Sequence, residues 1–267
     1  KSIDKDIKII VIENSNNTLF KDELEAKYNN VSCFLSSKNL GMGVGNNLGI
    51  KKTKTDFVLI LNPDVILEQT TINELIIASQ IISNFAILAP ISSDINYPNY
   101  KLDNDKKNII KNESPFKVKS VDGFAMLFNK KKLDKIIDED YFDENFFMYL
   151  ENDDLCKRIV DAKEYIYIAP NSKIKHLGGK AVNIKYKNEV EFARNWHWIW
   201  SKFYFNKKHY GYAIAFLEGF PKFFSNLIKY IFYSLIRNSI KQKIYLNRVS
   251  GFFNAALNKR SWYRSQF

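Results

Sequence analysis

The stretch Ile7-Lys8-Ile9-Ile10-Val11-Ile12 is β-branched and almost continuously apolar, and the polar turn of residues 13–17 follows it. Such a run is typical of a short strand that is buried on both faces of a parallel sheet. Helical periodicity follows over residues 19–28, and two more strand-like runs lie at residues 31–35 and 56–61. Because strands alternate with helices, we predict βαβ units and an α/β fold with an open, mostly parallel sheet flanked by helices.

The same alternation continues to residue 184. We predict a helix over residues 70–82, strands over 85–91, 121–128 and 164–168, and a surface loop or flap in the polar segment 92–120. In open sheets of this kind, ligands bind beyond the carboxyl ends of the strands. Glu13 and the triplet Asn62-Pro63-Asp64 both follow a predicted strand directly, so both lie at the predicted binding edge.

The last third of the chain differs in composition from the rest. Residues 185–267 carry 15 Lys and Arg against three acidic residues, whereas residues 1–184 carry 25 against 26, and all four tryptophans lie in the last third. We therefore predict a domain of residues 1–184 and a helical, aromatic and basic extension of residues 185–267. Such a composition suits nucleic acid, an anionic membrane or a glycan-bearing acceptor, and does not distinguish among them.

One helix of the extension is predicted to be amphipathic, with Pro221 in its first turn. Its apolar face consists of Phe224, Leu227, Ile228, Ile231 and Leu235, and its other face is polar and basic. Such a helix can lie in a membrane interface, or it can cover the apolar face of the preceding domain.

The compartment is predicted from three features of the sequence. The polar residues 1–6 do not predict a signal peptide, and no uninterrupted run of about 18 apolar residues predicts a membrane span. Cys33 and Cys156 are too few for a disulfide framework. We therefore expect a reducing, cytoplasmic location.

The acidic octet Glu151-Asn152-Asp153-Asp154-Leu155-Cys156-Lys157-Arg158 follows an apolar and aromatic run at residues 146–150. Acidic residues in a first helical turn favour the positive end of the helix dipole, so the octet is typical of a helix N-terminus. A carboxylate beside apolar surface is also poorly solvated, which suits a general base. The octet alone leaves both interpretations open.

The run Gly41-Met42-Gly43-Val44-Gly45 invites a dinucleotide-binding interpretation. Asn46 stands where that fingerprint requires a third glycine, and no acidic ribose partner follows at the right distance. We therefore reject the fingerprint, although the glycines still allow the backbone to approach a nucleotide closely.

Asp64 and His176 are candidate metal ligands. A carboxylate at a strand end can hold a divalent cation that neutralises a diphosphate, or it can belong to an ordinary turn. A lone histidine is more often structural than a ligand. A histidine that joined Asp64 on a metal would favour Mn²⁺ over Mg²⁺.

Taken in order, these motifs resemble those of the family 2 glycosyltransferases, in particular the bacterial rhamnosyltransferase-like branch. The resemblance covers residues 7–180 and is carried by residues 9–15, 39–49, 61–64, 122–123, 142–149, 151–158 and 176–179. It implies a GT-A fold, with a nucleotide-sugar-binding half followed by an acceptor-binding half. It also implies a divalent cation, Mn²⁺ or Mg²⁺, on Asp64, with His176 as a second contact.

The resemblance further implies a role for each matching residue. Glu13 lies near the base and ribose of the donor, the Gly41–Asn47 segment lines the nucleotide site, and Asp122 and Gly123 shape the sugar and acceptor pocket. The residues expected around the donor are Glu13, Asn14, Gly41, Gly45, Asn46, Asn47, Asn62, Asp64, Asp122 and Gly123.

Three features depart from the family pattern. The second position of its acidic motif often supplies the base, but here it is Asn152, which cannot act as one. Glu151 is therefore our first candidate for the base, with Asp153 and Asp154 in reserve. Ala181 stands where the family often has Ser, and we expect that the family's first β-α unit is missing from this chain.

The sequence thus predicts an inverting glycosyltransferase that moves a rhamnose-like sugar, with dTDP-rhamnose favoured as donor, to a hydroxyl of a cell-surface glycan or lipid-linked acceptor. The extension is predicted to bring it to an anionic membrane surface, as a peripheral protein of the inner face. The alternative is a non-catalytic sugar-binding or membrane-associated scaffold. Nucleic acid is not expected as a partner, because the basic tail contains no recognition module.

Overall fold

The structure, a computed structural model, describes residues 7–94, 96–102, 114–138, 140–178 and 184–264. The chain divides into two compact units, Lys1–Asp143 with Asn152–Ala181, and Glu144–Glu151 with Val182–Phe267. The predicted domain boundary at residues 184 and 185 stays a prediction, and the segment Glu144–Glu151 groups with the second unit. Within the described ranges, we find no helix whose length and apolarity would suffice to cross a membrane.

The first unit opens with strand β1 (Ile9–Glu13), helix α1 (Thr18–Lys27), strand β2 (Val31–Leu35) and helix α2 (Met42–Lys52). β1 and β2 are parallel and form a two-stranded sheet of their own. Every side chain of β1 is only half buried, so the expected burial on both faces is wrong. The reason is that β1 pairs with β2 alone among the described strands.

The larger sheet of the first unit has six strands. The described strands of this sheet are β3 (Phe57–Leu61), β4 (Val65–Leu67), β5 (Ile87–Ser92), β7 (Phe116–Val118), β9 (Ala125–Asn129) and β10 (Ile166–His176). The helices between them in the chain are α3 (Thr71–Ile81), α4 (Lys130–Ile136) and α5 (Glu151–Asp161). Two short strands, β6 (Tyr100–Lys101) and β8 (Ser120–Val121), pair with each other. The strand order is β3-β9-β5-β10-β4, and β7 also pairs with β10. The α/β class predicted from the sequence is confirmed, with a sheet that contains both parallel and antiparallel pairs.

The strand directions define one binding edge of this sheet. β5 and β10 are parallel, and β9 runs antiparallel to both β3 and β5. The carboxyl ends of β3, β5 and β10 therefore share an edge with the amino end of β9. Asp64 follows β3, His176 ends β10 and Asp122 precedes β9, so all three lie at this edge.

β10 is longer than the sequence predicts. We predicted a strand over residues 164–168 only, and Pro170, which has no N–H to donate to a sheet, follows closely. The structure accommodates Pro170 in a bulge between Ala169 and Lys173, after which pairing with β5 resumes. Ser172 stabilises the bulge by donating from its hydroxyl to the Thr71 carbonyl at 2.8 Å.

Two other local predictions are corrected. The polar segment 92–120 was predicted to be irregular, but it contains β6, β7 and the first residue of β8. Residues 95 and 103–113 lie outside the described part of the chain. The Gly41–Asn47 segment, which was expected to line the nucleotide site, belongs to α2 from Met42 onward. Gly45 and Gly49 face Ile12 of β1, and an added methyl group at either position would meet it at an ordinary van der Waals distance.

The core of the first unit lies between the central strands and α5. Ile87, Met126, Phe128, Ile166 and Ile168 from the sheet are fully buried, as are Leu155 and Ile159 from α5. Burial of each such side chain stabilises the fold by about 1.5–3 kcal/mol relative to exposure. This packing fixes the sheet edge on which the functional residues lie.

In the part of the second unit that the structure describes, residues 184–264 form a short 3₁₀ turn (Ile184–Tyr186) and the helices α6 (Lys187–Tyr210), α7 (Tyr212–Leu235) and α8 (Ser239–Ala256). Its core contains Trp196, Trp200, Phe203, Ala215 and Phe252. Pro221 lies inside α7, so the prediction that it starts a helix is wrong. Residues on both sides of Pro221 pack on α6 and α8, and this burial offsets the backbone hydrogen bond that proline cannot make.

Candidate active site

Asp64 and His176 face each other at the carboxyl edge of the sheet. The distance from Asp64 Oδ2 to His176 Nε2 is 3.2 Å, and both side chains are mostly buried. β10 pairs antiparallel with β4, and this register places His176 opposite Val65, the neighbour of Asp64. The Leu177 N–H also donates to the Asp64 carbonyl at 2.9 Å. The two predicted metal ligands are therefore brought together by strand pairing.

An aromatic ring fixes the orientation of the histidine. Phe124 stacks on the His176 imidazole, with ring centroids 4.2 Å apart and an interplanar angle of 16°. The carbonyl of Phe124 accepts a hydrogen bond from the Asn62 N–H at 2.9 Å. The loop that contains Asn62 and Asp64 is thus joined to the loop of residues 122–124. No sequence motif indicated a role for Phe124, and only its position two residues after Asp122 could have suggested one.

Asp122 is a half-buried carboxyl group beside other charges. Burial raises its pKa, the neighbouring Asp153 raises it further, and Lys101 and His176 act in the opposite direction. Its backbone N–H donates to the Asn99 carbonyl at 2.9 Å. A carboxyl group with a raised pKa can exchange a proton nearer neutral pH, so Asp122 is a candidate for acid–base chemistry as well as for sugar binding.

Gly123 marks a close approach of three segments. A methyl group at this position would lie 3.0 Å from the Met42 side chain and 3.1 Å from Asn152 Cβ. The start of α2 and the start of α5 therefore both contact the 122–124 loop. Little space remains for any side chain larger than hydrogen.

Asp153 forms an ion pair with Lys101 that no sequence motif predicted. Its Oδ1 atom lies 2.7 Å from Lys101 Nζ, and its side chain is one-fifth exposed. Lys101 comes from β6, inside the segment that was predicted to be an irregular flap. The pair places a carboxylate and a cation beside Asp122.

Asn152 and Asp154 have structural contacts. The Asn152 amide donates to the Val121 carbonyl at 3.0 Å, which ties α5 to the segment before Asp122. Asp154 is completely buried, and its Oδ2 accepts from Arg158 Nε at 2.9 Å. Arg158 also donates to the Tyr141 carbonyl. These contacts favour a structural role for Asp154 over the role of a base.

Glu151 is the first residue of α5 and is described with the second unit. Its side chain is nearly fully buried. Tyr149 and Leu150, which precede it, both adopt left-handed backbone conformations with φ of 71° and 67°. Non-glycine residues in this region cost about 1–2 kcal/mol each, so the turn into the helix is strained.

Glu13 and Asn14 make local contacts at the end of β1. Glu13 accepts hydrogen bonds from the Ser15 N–H at 2.9 Å and the Asn17 N–H at 2.7 Å. Burial pushes its pKa upward, but the hydrogen bonds from Ser15 and the backbone prevail, so the pKa is lowered. Asn14 donates to the Gly41 carbonyl at 3.1 Å and accepts from the Leu40 N–H at 3.0 Å. Glu13 therefore shapes the turn that leads to α1, and Asn14 shapes the one that leads to α2.

The four residues predicted from the glycine-rich segment have different environments. Gly41 has φ of 85°, which favours glycine, and Gly45 is buried against β1. Asn47 is fully buried and binds the backbone of Phe142 through both ends of its amide, at 2.8 and 3.0 Å. Asn46 Nδ2 is buried without a hydrogen-bond partner among the described residues. The Asn46 N–H group therefore makes no hydrogen bond to the described residues, whereas the Asn47 amide is occupied by the backbone of Phe142.

The Asp64–His176 pair fits a divalent cation. Adjacent ligands of an octahedral ion with bonds of about 2.1 Å lie about 3 Å apart, which is close to the observed 3.2 Å. A carboxylate oxygen with an imidazole nitrogen is a ligand set that Mn²⁺ accepts. Among the described residues, no group of three or more His, Cys, Asp or Glu could hold a metal by itself. Further ligands would have to come from solvent or substrate.

Comparison with solved structures defines the class of the fold. GalNAc-T7 with UDP, GalNAc and Mn²⁺ superposes with a TM-score of 0.52 at 14% identity, over 71% of this chain and 44% of that one. Mannosyltransferase PcManGT from Pyrobaculum calidifontis, in complex with GDP-Man and Mn²⁺, superposes with a TM-score of 0.54 at 9% identity, over 95% of this chain and 79% of that one. At such identities the likeness shows the fold alone, which is of the GT-A type. The chain spans less than half the length of GalNAc-T7.

The sequence profile of glycosyl transferase family 2 matches residues 1–137, which is just over half of the chain. The chain belongs to this family. No curated protein matches the sequence significantly.

Proposed function

We propose that this chain transfers a sugar from a nucleoside-diphosphate donor to an acceptor hydroxyl, with inversion at the anomeric carbon. The observation that carries the proposal is the 3.2 Å approach of Asp64 to His176 at an edge that also holds Asp122 and Asn62. The two similar structures, solved with UDP or GDP-Man and with Mn²⁺, support a donor and a metal of these classes. A rhamnose-like sugar from dTDP-rhamnose, and a glycan or lipid-linked acceptor, are the finer parts of the proposal.

Each residue has a proposed task. Asp64 and His176 would hold a divalent cation, and this ion would supply positive charge that neutralises the diphosphate leaving group. The side-chain amide of Asn46, which has no hydrogen-bond partner among the described residues, donates a hydrogen bond to the nucleotide sugar. Asp122 and Gly123 bound the sugar pocket, and the ion pair with Lys101 holds the Asp153 side chain in place. A carboxylate at the start of α5, Glu151 first and Asp153 second, takes the proton of the acceptor hydroxyl as it attacks the anomeric carbon from the face opposite the diphosphate.

The test is release of nucleoside diphosphate from a panel of dTDP-, UDP- and GDP-sugars with Mn²⁺, with Mg²⁺ or with a chelator. We expect turnover that requires the metal and falls about 100-fold or more in Asp64→Ala, because stabilisation of the leaving group by a metal contributes several kcal/mol. Asp56→Ala is the matched control, since Asp56 is an exposed aspartate next to the opposite end of β3.

Two outcomes would contradict the proposal. Equal turnover with chelator and with metal would remove the role of Asp64 and His176. Absence of hydrolysis and transfer with every donor would favour the non-catalytic sugar-binding scaffold.

A further inference from the structure

Helix α7 has two apolar faces, and only one of them is packed. On the inner face, Ala215, Phe216 and Phe223 pack in the core of the second unit with Phe252 of α8. Gly219 lies in the same row, where a methyl group would come within 2.6 Å of the Phe252 ring. The inner face is therefore fully used by contacts with α6 and α8.

The outer face of α7 is apolar and exposed along its whole length. Its large side chains recur at helical spacing and are Ile214, Leu217, Phe220, Phe224, Ile228, Ile231, Phe232 and Leu235, with exposed fractions between 44% and 77%. At a rise of 1.5 Å per residue, this strip is about 30 Å long. An exposed apolar patch of this size marks a binding surface.

The surroundings of the strip are basic. Lys222 and Lys229 lie along one edge of it, and Arg237 and Lys241 follow its C-terminal end, all four of them exposed. Glu218 is the only acidic residue of α7, and its Oε2 accepts from Asn206 Nδ2 of α6 at 2.7 Å, which directs it towards the packed side. Residues 185–267 as a whole carry 15 basic against three acidic residues.

We propose that the outer face of α7 inserts into the interface of an anionic lipid bilayer, with the helix lying in the membrane plane. In this position the strip enters the acyl boundary, while the lysines at its edge reach the phosphate groups of the lipids. Each such lysine or arginine strengthens binding to an anionic surface about fivefold. Pairing of this face with a second copy would instead bring two basic units together, and the charges would repel. The proposal does not depend on the proposed transferase activity.

The test is co-sedimentation of the full chain with vesicles of neutral phosphatidylcholine, and with vesicles that contain phosphatidylglycerol in addition. We expect binding to anionic vesicles at least about tenfold stronger than to neutral ones, since several basic residues contribute. The double variant Leu217→Ser with Ile228→Ser should bind the vesicles about tenfold or more weakly, because it removes two apolar side chains that enter the membrane. Lys222→Gln with Lys229→Gln should weaken binding to the anionic vesicles only.

The matched control is Ile76→Ser with Ile81→Ser on α3, which alters two equally exposed apolar residues of the first unit. It should bind vesicles as the unaltered chain does, and circular dichroism melting should show that every variant folds. Equal binding to both vesicle types, or full binding by the α7 serine variant, would overturn the proposal. A dimer in solution that is lost in the α7 serine variant would also overturn it, because the second copy would then cover this face.

Discussion

The acidic residues at the start of α5 differ in what their oxygen atoms contact. Asp153 forms an ion pair with Lys101, and the buried Asp154 accepts a hydrogen bond from Arg158. Asn152 has an amide in place of a potential base, and this amide donates to the Val121 carbonyl. The sequence correctly indicated that this octet begins a helix and carries several carboxylates. It could not rank them, because Lys101 and Val121, which bind Asp153 and Asn152, come from distant parts of the chain.

We expect Glu151→Gln to reduce kcat about 10²–10⁴-fold with little change in the donor KM, because a base is used only in the transition state. Asp153→Asn should cost less, and Asp154→Asn should chiefly lower the melting temperature, since Arg158 would lose its buried partner. Steady-state kinetics and thermal melts of the three variants separate these effects. Near-normal turnover of Glu151→Gln with a severe loss in Asp153→Asn would assign the base to Asp153.

His197 is a buried histidine of the second unit that no motif had indicated. Its Nε2 lies 2.8 Å from the Tyr263 carbonyl and its Nδ1 lies 3.1 Å from Ser261 Oγ. A carbonyl can only accept, so Nε2 carries the proton, Nδ1 accepts from the hydroxyl, and the ring is neutral. Burial lowers the pKa of His197 to about 4.

This shift predicts an acid-sensitive stability. Between pH 6.5 and about 4, the unfolded chain binds a proton that the folded chain does not, so the free energy of unfolding falls as the pH falls through this window. The contribution is at most about 3 kcal/mol and is complete above pH 6.5. Urea denaturation across this range should show a flatter pH dependence for His197→Gln than for the unaltered chain. Parallel curves would show that His197 does not cause the loss.

At the scale of elements, the packing of α6 on α8 depends on a glycine. A methyl group at Gly251 would lie 2.5 Å from the Trp196 carbonyl oxygen, a backbone atom that cannot move aside without shifting α6. The sequence shows a glycine in a helix, which ordinarily weakens the helix. Only the tertiary contact explains why it is useful here.

Gly251→Ala should therefore destabilise the second unit by about 1–3 kcal/mol through overpacking. Gly49→Ala in α2 is the matched control, because its methyl group would meet only Ile12, at an ordinary 3.5 Å. That change should be neutral or stabilise by about 0.5–1 kcal/mol, as alanine favours a helix more than glycine does. Urea denaturation measures both, and equal effects of the two substitutions would refute the close α6–α8 contact.

At the scale of the whole molecule, charge is distributed unevenly along the chain. Residues 1–184 are nearly neutral, whereas residues 185–267 have a large basic excess. The proposed donor site lies in the nearly neutral part and the proposed membrane-binding face in the basic part. Binding of the donor and binding to vesicles should therefore respond differently to salt, with the second weakened more.

Donor binding should stabilise the whole protein. A ligand at 100 times its Kd adds about 2.7 kcal/mol to the free energy of unfolding, which raises the melting temperature by several degrees. We expect this shift for one class of nucleotide sugar with Mn²⁺ present, and not for the metal or the donor alone. A thermal-shift screen identifies the donor. A chain that no nucleotide sugar stabilises in the presence of metal would contradict the assigned donor site.

The sequence by itself determined the α/β class, the order of most strands and helices, and the family, because apolar periodicity and short motifs are local properties of the chain. The family resemblance implied that Asp64 and His176 act together, but only the tertiary structure shows how they meet, through a bulge that carries β10 past Pro170 to pair with β4. It also decided that Asn47 serves the fold and that α7 keeps an exposed apolar face. These outcomes depend on strand register and on which helix faces find partners, and both are set by contacts between residues far apart in the chain.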